Sequence, residues 1–308
     1  MAITAQMVND LRKKTGIGMM ECKKALVEAN GDADEAIKIL REKGLAVAAK
    51  KADRVAAEGV VDIMKSEDGL TTAVLEVNSE TDFVAKNATF KAFVRDILAT
   101  IIANKPADIA ALNECTLVGS DLTVEQARKD KVFSIGENIT IRRFLIIEGV
   151  TGSYIHNAGA LGVVAKFETD VEASDAFNEF AKNICMQIAA MNATYVCRNC
   201  VPAEVIENEK AILLAQISND ESLANKPDAV KEKMVEGRIN KFYQTACLVD
   251  QAYVKDDSIS ISKYIENTEK ELGGSIKVVS FTKLERGEGI EKREDDFAAE
   301  IDKLVNGK

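Results

Sequence analysis

The sequence predicts an α+β protein: three short amino-terminal helices, a duplicated α+β core, an inserted antiparallel helical hairpin and a C-terminal helix. Three observations lead there. Strand-like apolar runs, such as residues 72–77, precede long helical patterns. One strand, corner and helix recurs. Glu80-Thr81-Asp82 returns as Glu168-Thr169-Asp170 at an offset of 88, and Phe90, Phe93, Ile97 and Ile101 return as Phe177, Phe180, Ile184 and Ile188 at an offset of 87. Finally, Pro202 and Pro227 each stand where a helix can open, ahead of two consecutive apolar helical patterns.

The chain has 308 residues, room for two or three domains. Its net charge of −10 argues against broad nucleic-acid binding, which needs basic surface to displace counterions. Residues 1–54 hold eleven Lys/Arg and eight Asp/Glu, a local +3, so the remainder carries −13. That asymmetry suits a protein partner of mixed charge. No apolar run approaches the ~20 residues that cross a bilayer, and the first residues lack a signal-peptide or transit pattern, so a cytoplasmic protein is expected. A single histidine rules out His-pair metal sites. Neither a Gly-x-Ser-x-Gly elbow nor a phosphate-binding Gly-x-x-x-x-Gly-Lys-Ser/Thr loop is present, and no cofactor is expected.

Residues 1–45 read as three helices. The first carries Met7, Val8 and Leu11 and ends at Thr15-Gly16-Ile17-Gly18. The second carries Met19, Cys22, Leu26 and Ala29, and Asn30-Gly31 closes it. The third opens with Asp32-x-x-Glu35 and stops at Gly44. Met19 and Met20 suit core filling and binding surface equally. Residues 46–58, rich in Ala and Lys, read as a linker.

Residues 59–150 form the first core unit, with a hairpin turned by Ser66-Glu67-Asp68-Gly69. Between its second strand and its long helix lies Asn78-Ser79-Glu80-Thr81-Asp82-Phe83-Val84-Ala85-Lys86. Thr81 or Asp82 can cap the helix directly, making Phe83 and Val84 its first core-facing residues. Alternatively Asn87 is the cap and residues 79–86 project as a loop. The repeat bears on this choice: after Asp170 come Val171 and Glu172, so the second copy keeps the corner and loses the aromatic. A residue needed only for the fold should have an equivalent, which favours a functional Phe83.

Residues 151–285 form the second core unit, with the plan repeated over 151–200 and a helical hairpin inserted at 203–244. In the hairpin Val205, Ile206, Ile212, Leu213, Leu214 and Ile217 are set to face Val230, Met234, Val235, Ile239 and Phe242. Residues 286–308 form a C-terminal module with a helix over 295–305. His156, in a glycine-rich hairpin, reads as a surface or packing residue. The six cysteines are unframed for disulfides and read as reduced. Cys197-Arg198-Asn199-Cys200 has the spacing of half a zinc site or a dithiol pair. It stands after a helix and before Pro202, without a second pair, and reads as incidental thiols.

Thr81-Asp82-Phe83-Val84-Ala85-Lys86 resembles the signature of the bacterial elongation factor Ts family, the nucleotide-exchange factors of elongation factor Tu. The resemblance runs nearly end to end. It includes Thr15-Gly16-Ile17-Gly18-Met19-Met20-Glu21-Cys22-Lys23-Lys24-Ala25-Leu26, the run from Lys233 to Phe242, Gly287-Glu288-Gly289-Ile290-Glu291-Lys292, and Asp296-Phe297-Ala298-Ala299-Glu300. The chain departs from it at Ala252, where the family often has proline. The resemblance implies a ubiquitin-associated-like amino-terminal domain and elongation factor Tu as partner, with no catalytic or metal site. It also implies that Phe83 wedges into the partner's nucleotide domain while Asp82 disturbs the magnesium shell and Thr81 and Val84 shape the loop. Ile17, Met19, Met20, His156 and Phe297 would supply further contacts. The hairpin is a candidate homodimer surface.

Overall fold

The computed structural model describes residues 2–220, 222–223 and 226–291. Helix α1 (Ala5–Thr15) is capped by the Thr4 hydroxyl, which accepts the Met7 amide, and ends where Gly16 takes φ +69°. α2 (Met19–Glu28) follows, and then α3 (Ala33–Lys51), whose first turn is held by the Asp32 carboxylate accepting the Asp34 and Glu35 amides. Val8, Leu11, Ile17, Cys22, Leu26 and Leu40 pack between the three. The expected stop at Gly44 is corrected: α3 runs through it to Lys51, so residues 46–51 are helix and not linker. Gly44 is buried against the Phe133 ring, 3.5 Å from where a Cβ would stand. Close packing across this helix offsets the ~1 kcal/mol that a mid-helix glycine costs.

The first core unit comprises β1 (Glu58–Lys65), β2 (Thr71–Ser79), α4 (Asp82–Lys86), α5 (Ala88–Asn104), α6 (Ile109–Glu114), α7 (Val124–Ile135) and β3 (Ile139–Glu148). Its strands form an antiparallel sheet in the order β1-β2-β3. Residues alternate across β2. Ala73, Leu75 and Val77 meet Phe90, Phe93, Val94, Ile97 and Ile101 of α5, while Val74 faces the other way. The sequence reading assigns no element to α6 and α7, and α7 carries Phe133 onto α3.

The second unit comprises β4 (Val150–His156), β5 (Leu161–Thr169), α8 (Asp175–Met191), α9 (Ala203–Asn219), α10 (Asp228–Ala246), β6 (Ala252–Tyr253), β7 (Asp256–Ser260), α11 (Ile261–Leu272) and β8 (Ile276–Glu285). Its main sheet has the order β4-β5-β8, with α8 placing Phe177, Phe180, Ile184 and Ile188 against Val163, Ala165 and Phe167. The repeat therefore extends past residue 200, because β8 supplies the third strand. It also includes a detail absent from the sequence pattern. The bulge in each sheet lies opposite the same place, three residues before the end of the middle strand, after Glu76 in β2 and after Lys166 in β5. The faces turned away from the helices meet through Val61, Ile63, Val74, Val164 and Leu284.

In the hairpin, Leu213 and Ile217 pack on Val235 and Ile239 with Met234 and Tyr243 beside them. Ile212, Leu214 and Val230, expected to face inward, are exposed instead. The C-terminal helix expected over 295–305 lies outside the described residues.

Glu76 of β2 joins the two units. Its side chain is 0% exposed. It accepts from Arg142 Nη1 at 3.0 Å, Arg143 Nε at 2.6 Å, Asn78 Nδ2 at 3.1 Å and the Gly287 amide at 2.7 Å. The β3 bulge at Arg142 lets two successive arginines reach one carboxylate. Arg143 continues to the Glu285 carbonyl and the Glu288 carboxylate, so the end of β8 is tied to the first sheet. Burial alone raises the Glu76 pKa; the four donors outweigh it and hold the carboxyl below its ordinary 4.5.

Glu76→Gln is expected to destabilise the protein by about 2–3 kcal/mol in urea unfolding at pH 7, below the usual cost of breaking a buried pair because both arginines keep some access to water. The folded pKa is depressed, so the stabilisation is complete above 4.5 and is lost as pH falls through the folded value. The difference between variant and wild type should therefore shrink in acid.

Candidate functional site

Both candidate caps at the corner after β2 are used, but on separate helices. Thr81 opens a short helix and not the long one, and Asn87 opens the long one while residues 82–86 are helix and not loop. The Thr81 hydroxyl accepts the Val84 amide at 3.4 Å and opens α4, a single five-residue turn. The Asn87 side chain then accepts the Thr89 and Phe90 amides and opens α5. A kink between two caps lets one face of α4 point inward and the other outward. Val84 and Ala85 are buried in the first core, whereas Phe83 is 80% exposed. The reading of Val84 as core-facing fits this arrangement; for Phe83 it does not, since the ring has almost no cover from its own chain. Asp82 stands beside it, with Lys86 Nζ at 2.5 Å. The hydrogen bond from Lys86 keeps the Asp82 carboxyl ionised below its ordinary range.

What fixes this turn comes from far along the chain. The Thr81 amide and hydroxyl both donate to the Glu137 carboxylate, at 3.0 and 2.6 Å. In the opposite direction, the Glu80 carboxylate accepts the Asn138 amide at 2.6 Å and approaches Arg54 at 3.5 Å. The Asn138 side chain donates to the Ala52 and Arg54 carbonyls at 3.2 and 2.8 Å, and Lys51 donates to the Gly136 carbonyl. The corner, the loop before β3 and the end of α3 therefore form one hydrogen-bonded knot. None of Glu137, Asn138, Lys51 and Arg54 is among the residues singled out from the sequence as site residues. No local sequence pattern couples Gly136-Glu137-Asn138 to Thr81.

The second copy uses its corner differently. The Thr169 hydroxyl donates to the Ser275 carbonyl at 2.7 Å, and the Asp170 carboxylate accepts the Ser275 amide and hydroxyl. These groups tie β5 to the start of β8. No short helix follows, and Val171 is half-buried where Phe83 is exposed.

The other expected contacts lie on separate elements. Met19 and Met20 of α2 are 51% and 65% exposed, which makes them surface residues. Ile17 is 6% exposed and belongs to the core of the first three helices, so it has little surface to offer a partner. His156 is exposed at the tip of β4, its Nδ1 bonded to the Tyr154 hydroxyl at 2.9 Å. Phe297 lies outside the described residues. Among the described residues no group of three or more His, Cys, Asp or Glu side chains gathers as a metal site, and no helix is long and apolar enough to cross a membrane.

Comparison with known families matches residues 80–288 to the family described as Elongation factor TS. The chain is 44% identical to Elongation factor Ts of Clostridium kluyveri over 310 aligned residues, covering 99% of this chain and 100% of the relative. It is 44% identical to that of Syntrophotalea carbinolica, covering 98% of each chain. It is 46% identical to that of Clostridium botulinum, covering 98% of this chain and 99% of the relative.

A double-mutant cycle on Thr81→Val and Glu137→Ala should give a coupling of about 1–2 kcal/mol in urea unfolding, as expected for hydrogen bonds to a charged acceptor. Additive losses would mean that the two residues do not act as a unit.

Proposed function

The chain belongs to the elongation factor Ts family, and from that premise we propose that it is the guanine nucleotide exchange factor of elongation factor Tu. In this reading it binds the GDP-bound partner, promotes magnesium displacement and GDP release, and so regenerates the GTP-bound form during translation elongation. The observation that carries the reading is Phe83, an aromatic ring 80% exposed on a turn otherwise fixed by hydrogen bonds. An isolated exposed ring on a mobile loop would say little. A ring held out by rigid ties and missing from the duplicate copy fits an anchor for another protein.

Exchange makes and breaks no covalent bond, so the factor needs no catalytic site of its own. It needs to bind the nucleotide-free partner better than the nucleotide-bound one, and by linkage each ligand then weakens the other equally. Accelerating release about a thousandfold requires roughly 4 kcal/mol. A well-buried aromatic anchor can supply about 2 kcal/mol or more. Phe83 inserts between elements of the partner's nucleotide domain, and Asp82 brings a carboxylate against the shell that holds its magnesium. Val84 and Thr81 keep the turn in place from behind. Met19 and Met20 give the amino-terminal helices a second, deformable grip, and His156 places a contact on the second core unit.

Phe83→Ala should lower GDP release from elongation factor Tu by about 30-fold, the equivalent of ~2 kcal/mol, measured with a fluorescent GDP at substoichiometric factor. Its unfolding free energy should stay within about 0.5 kcal/mol of wild type, because the ring is exposed. Wild-type exchange by the variant would sink the proposal. Asp82→Asn should give a smaller loss, and one that diminishes when magnesium is lowered.

A further inference from the structure

Cys197 and Cys200 form the one motif that nucleotide exchange leaves unused. We propose that they are a reversible thiol–disulfide exchange site for low-molecular-weight disulfides, and that closing it latches the root of the α9–α10 hairpin onto the second core unit. The expectation of reduced, incidental thiols is corrected by the structure, in which the pair is joined as a disulfide with the Cα atoms 5.2 Å apart, within the range a disulfide spans. A 3-10 turn over Arg198–Cys200 brings them together, with the Cys200 amide donating to the Cys197 carbonyl at 3.0 Å.

The surroundings keep the two thiols adjacent when reduced, because the anchors on the turn do not involve sulfur. The Thr194 and Tyr195 amides donate to the Ala246 carbonyl at 2.9 and 3.0 Å. The Leu248 amide donates to Tyr195 and the Val249 amide to Val196, at 2.8 and 3.1 Å. Arg198, between the two cysteines, is the residue that grips the hairpin. Its Nε and Nη2 meet Asp250 Oδ1 at 2.8 and 2.7 Å, its Nη1 donates to Asn240 at 3.2 Å, and its guanidinium lies 5.0 Å from the centre of the Tyr243 ring of α10. A covalent bond across Arg198 therefore fixes the turn that carries the clamp.

Accessibility selects Cys200 as the attacking thiol, and proximity selects Cys197 as its partner, with Cα atoms 5.2 Å apart. Cys200 is exposed and Cys197 half-buried, whereas Cys22, Cys185 and Cys247 are buried and Cys115 is intermediate. Among the described residues no third ligand joins the pair to make a metal site. The Cys200 thiolate attacks one sulfur of the small disulfide and expels one small thiolate, leaving a mixed disulfide on Cys200. The Cys197 thiolate then attacks the Cys200 sulfur and expels the second. Two protein thiols are oxidised to one disulfide and the small disulfide is reduced to two thiols. The protons lost by the cysteines are taken up, through solvent, by the released thiolates.

The test uses the full reduced chain, titrated with glutathione disulfide, quenched by alkylation and read by intact and peptide mass. Free thiols should fall from six to four, with a cross-linked Cys197–Cys200 peptide, and dithiothreitol should restore all six. Cys197→Ser should stop at a single glutathione adduct on Cys200. Unchanged alkylation of both cysteines, or adducts on both without a cross-link, would overturn the site. Hydrogen exchange over residues 238–250 should slow several-fold in the closed form; equal rates in the two forms would overturn the latch.

Discussion

Two neighbouring carboxylates with different targets hold the corner on which the proposed function depends. Glu137 takes both donors of Thr81, and Glu80 takes the amide of Asn138. Each acceptor is charged, so each bond is stronger than a neutral one, and together they leave the turn little freedom. Asn138 extends the same knot to the carbonyls at the end of α3. The amino-terminal helices, the corner and the approach to β3 are thereby fixed relative to one another. Exposing Phe83 carries a solvation cost that nothing in its own chain offsets, and the knot prevents the turn from rotating to hide the ring.

Duplication supplies an internal control. Both units place a phenylalanine-bearing helix on one face of a three-stranded antiparallel sheet, and both carry a bulge in the same register. Their corners begin with the same Glu-Thr-Asp, yet the second uses its hydroxyl and carboxylate to bind Ser275. The corner in the first unit binds instead to a loop that leaves α4 projecting. One ancestral connection has thus become a brace in one copy and a platform in the other.

The two units are joined by a polar centre as well as an apolar one. Val61, Ile63, Val74, Val164 and Leu284 make the apolar contact between the sheets. Beside it the buried Glu76 gathers Arg142, Arg143, Asn78 and the Gly287 amide. Apolar contact alone tolerates sliding, whereas a carboxylate with four directed donors specifies one arrangement. At the far end of the second unit, Arg198 plays a comparable part for the hairpin by joining Asp250, Asn240 and the face of Tyr243.

The sequence by itself determined the features that depend on neighbouring residues. Asp32 read as a cap, and Thr81 and Asn87 as alternative caps, because a side chain two or three residues ahead of an amide needs no partner from elsewhere. That both Thr81 and Asn87 are used is settled by the fold. The strands of the hairpin, the long helices and the repeat were legible through periodicity, and the signature around Phe83 carried the family. Tertiary structure decided what rests on pairs distant in the chain. Glu137 lies 56 residues from Thr81, and nothing local marks it as a partner. Gly44 looks like a helix stop until Phe133 covers it, because local propensity is worth about 1 kcal/mol and a packed contact can exceed it. Phe83 and Val84 differ little as apolar residues in the sequence. Only the kink between two caps decides that one is buried and the other faces solvent.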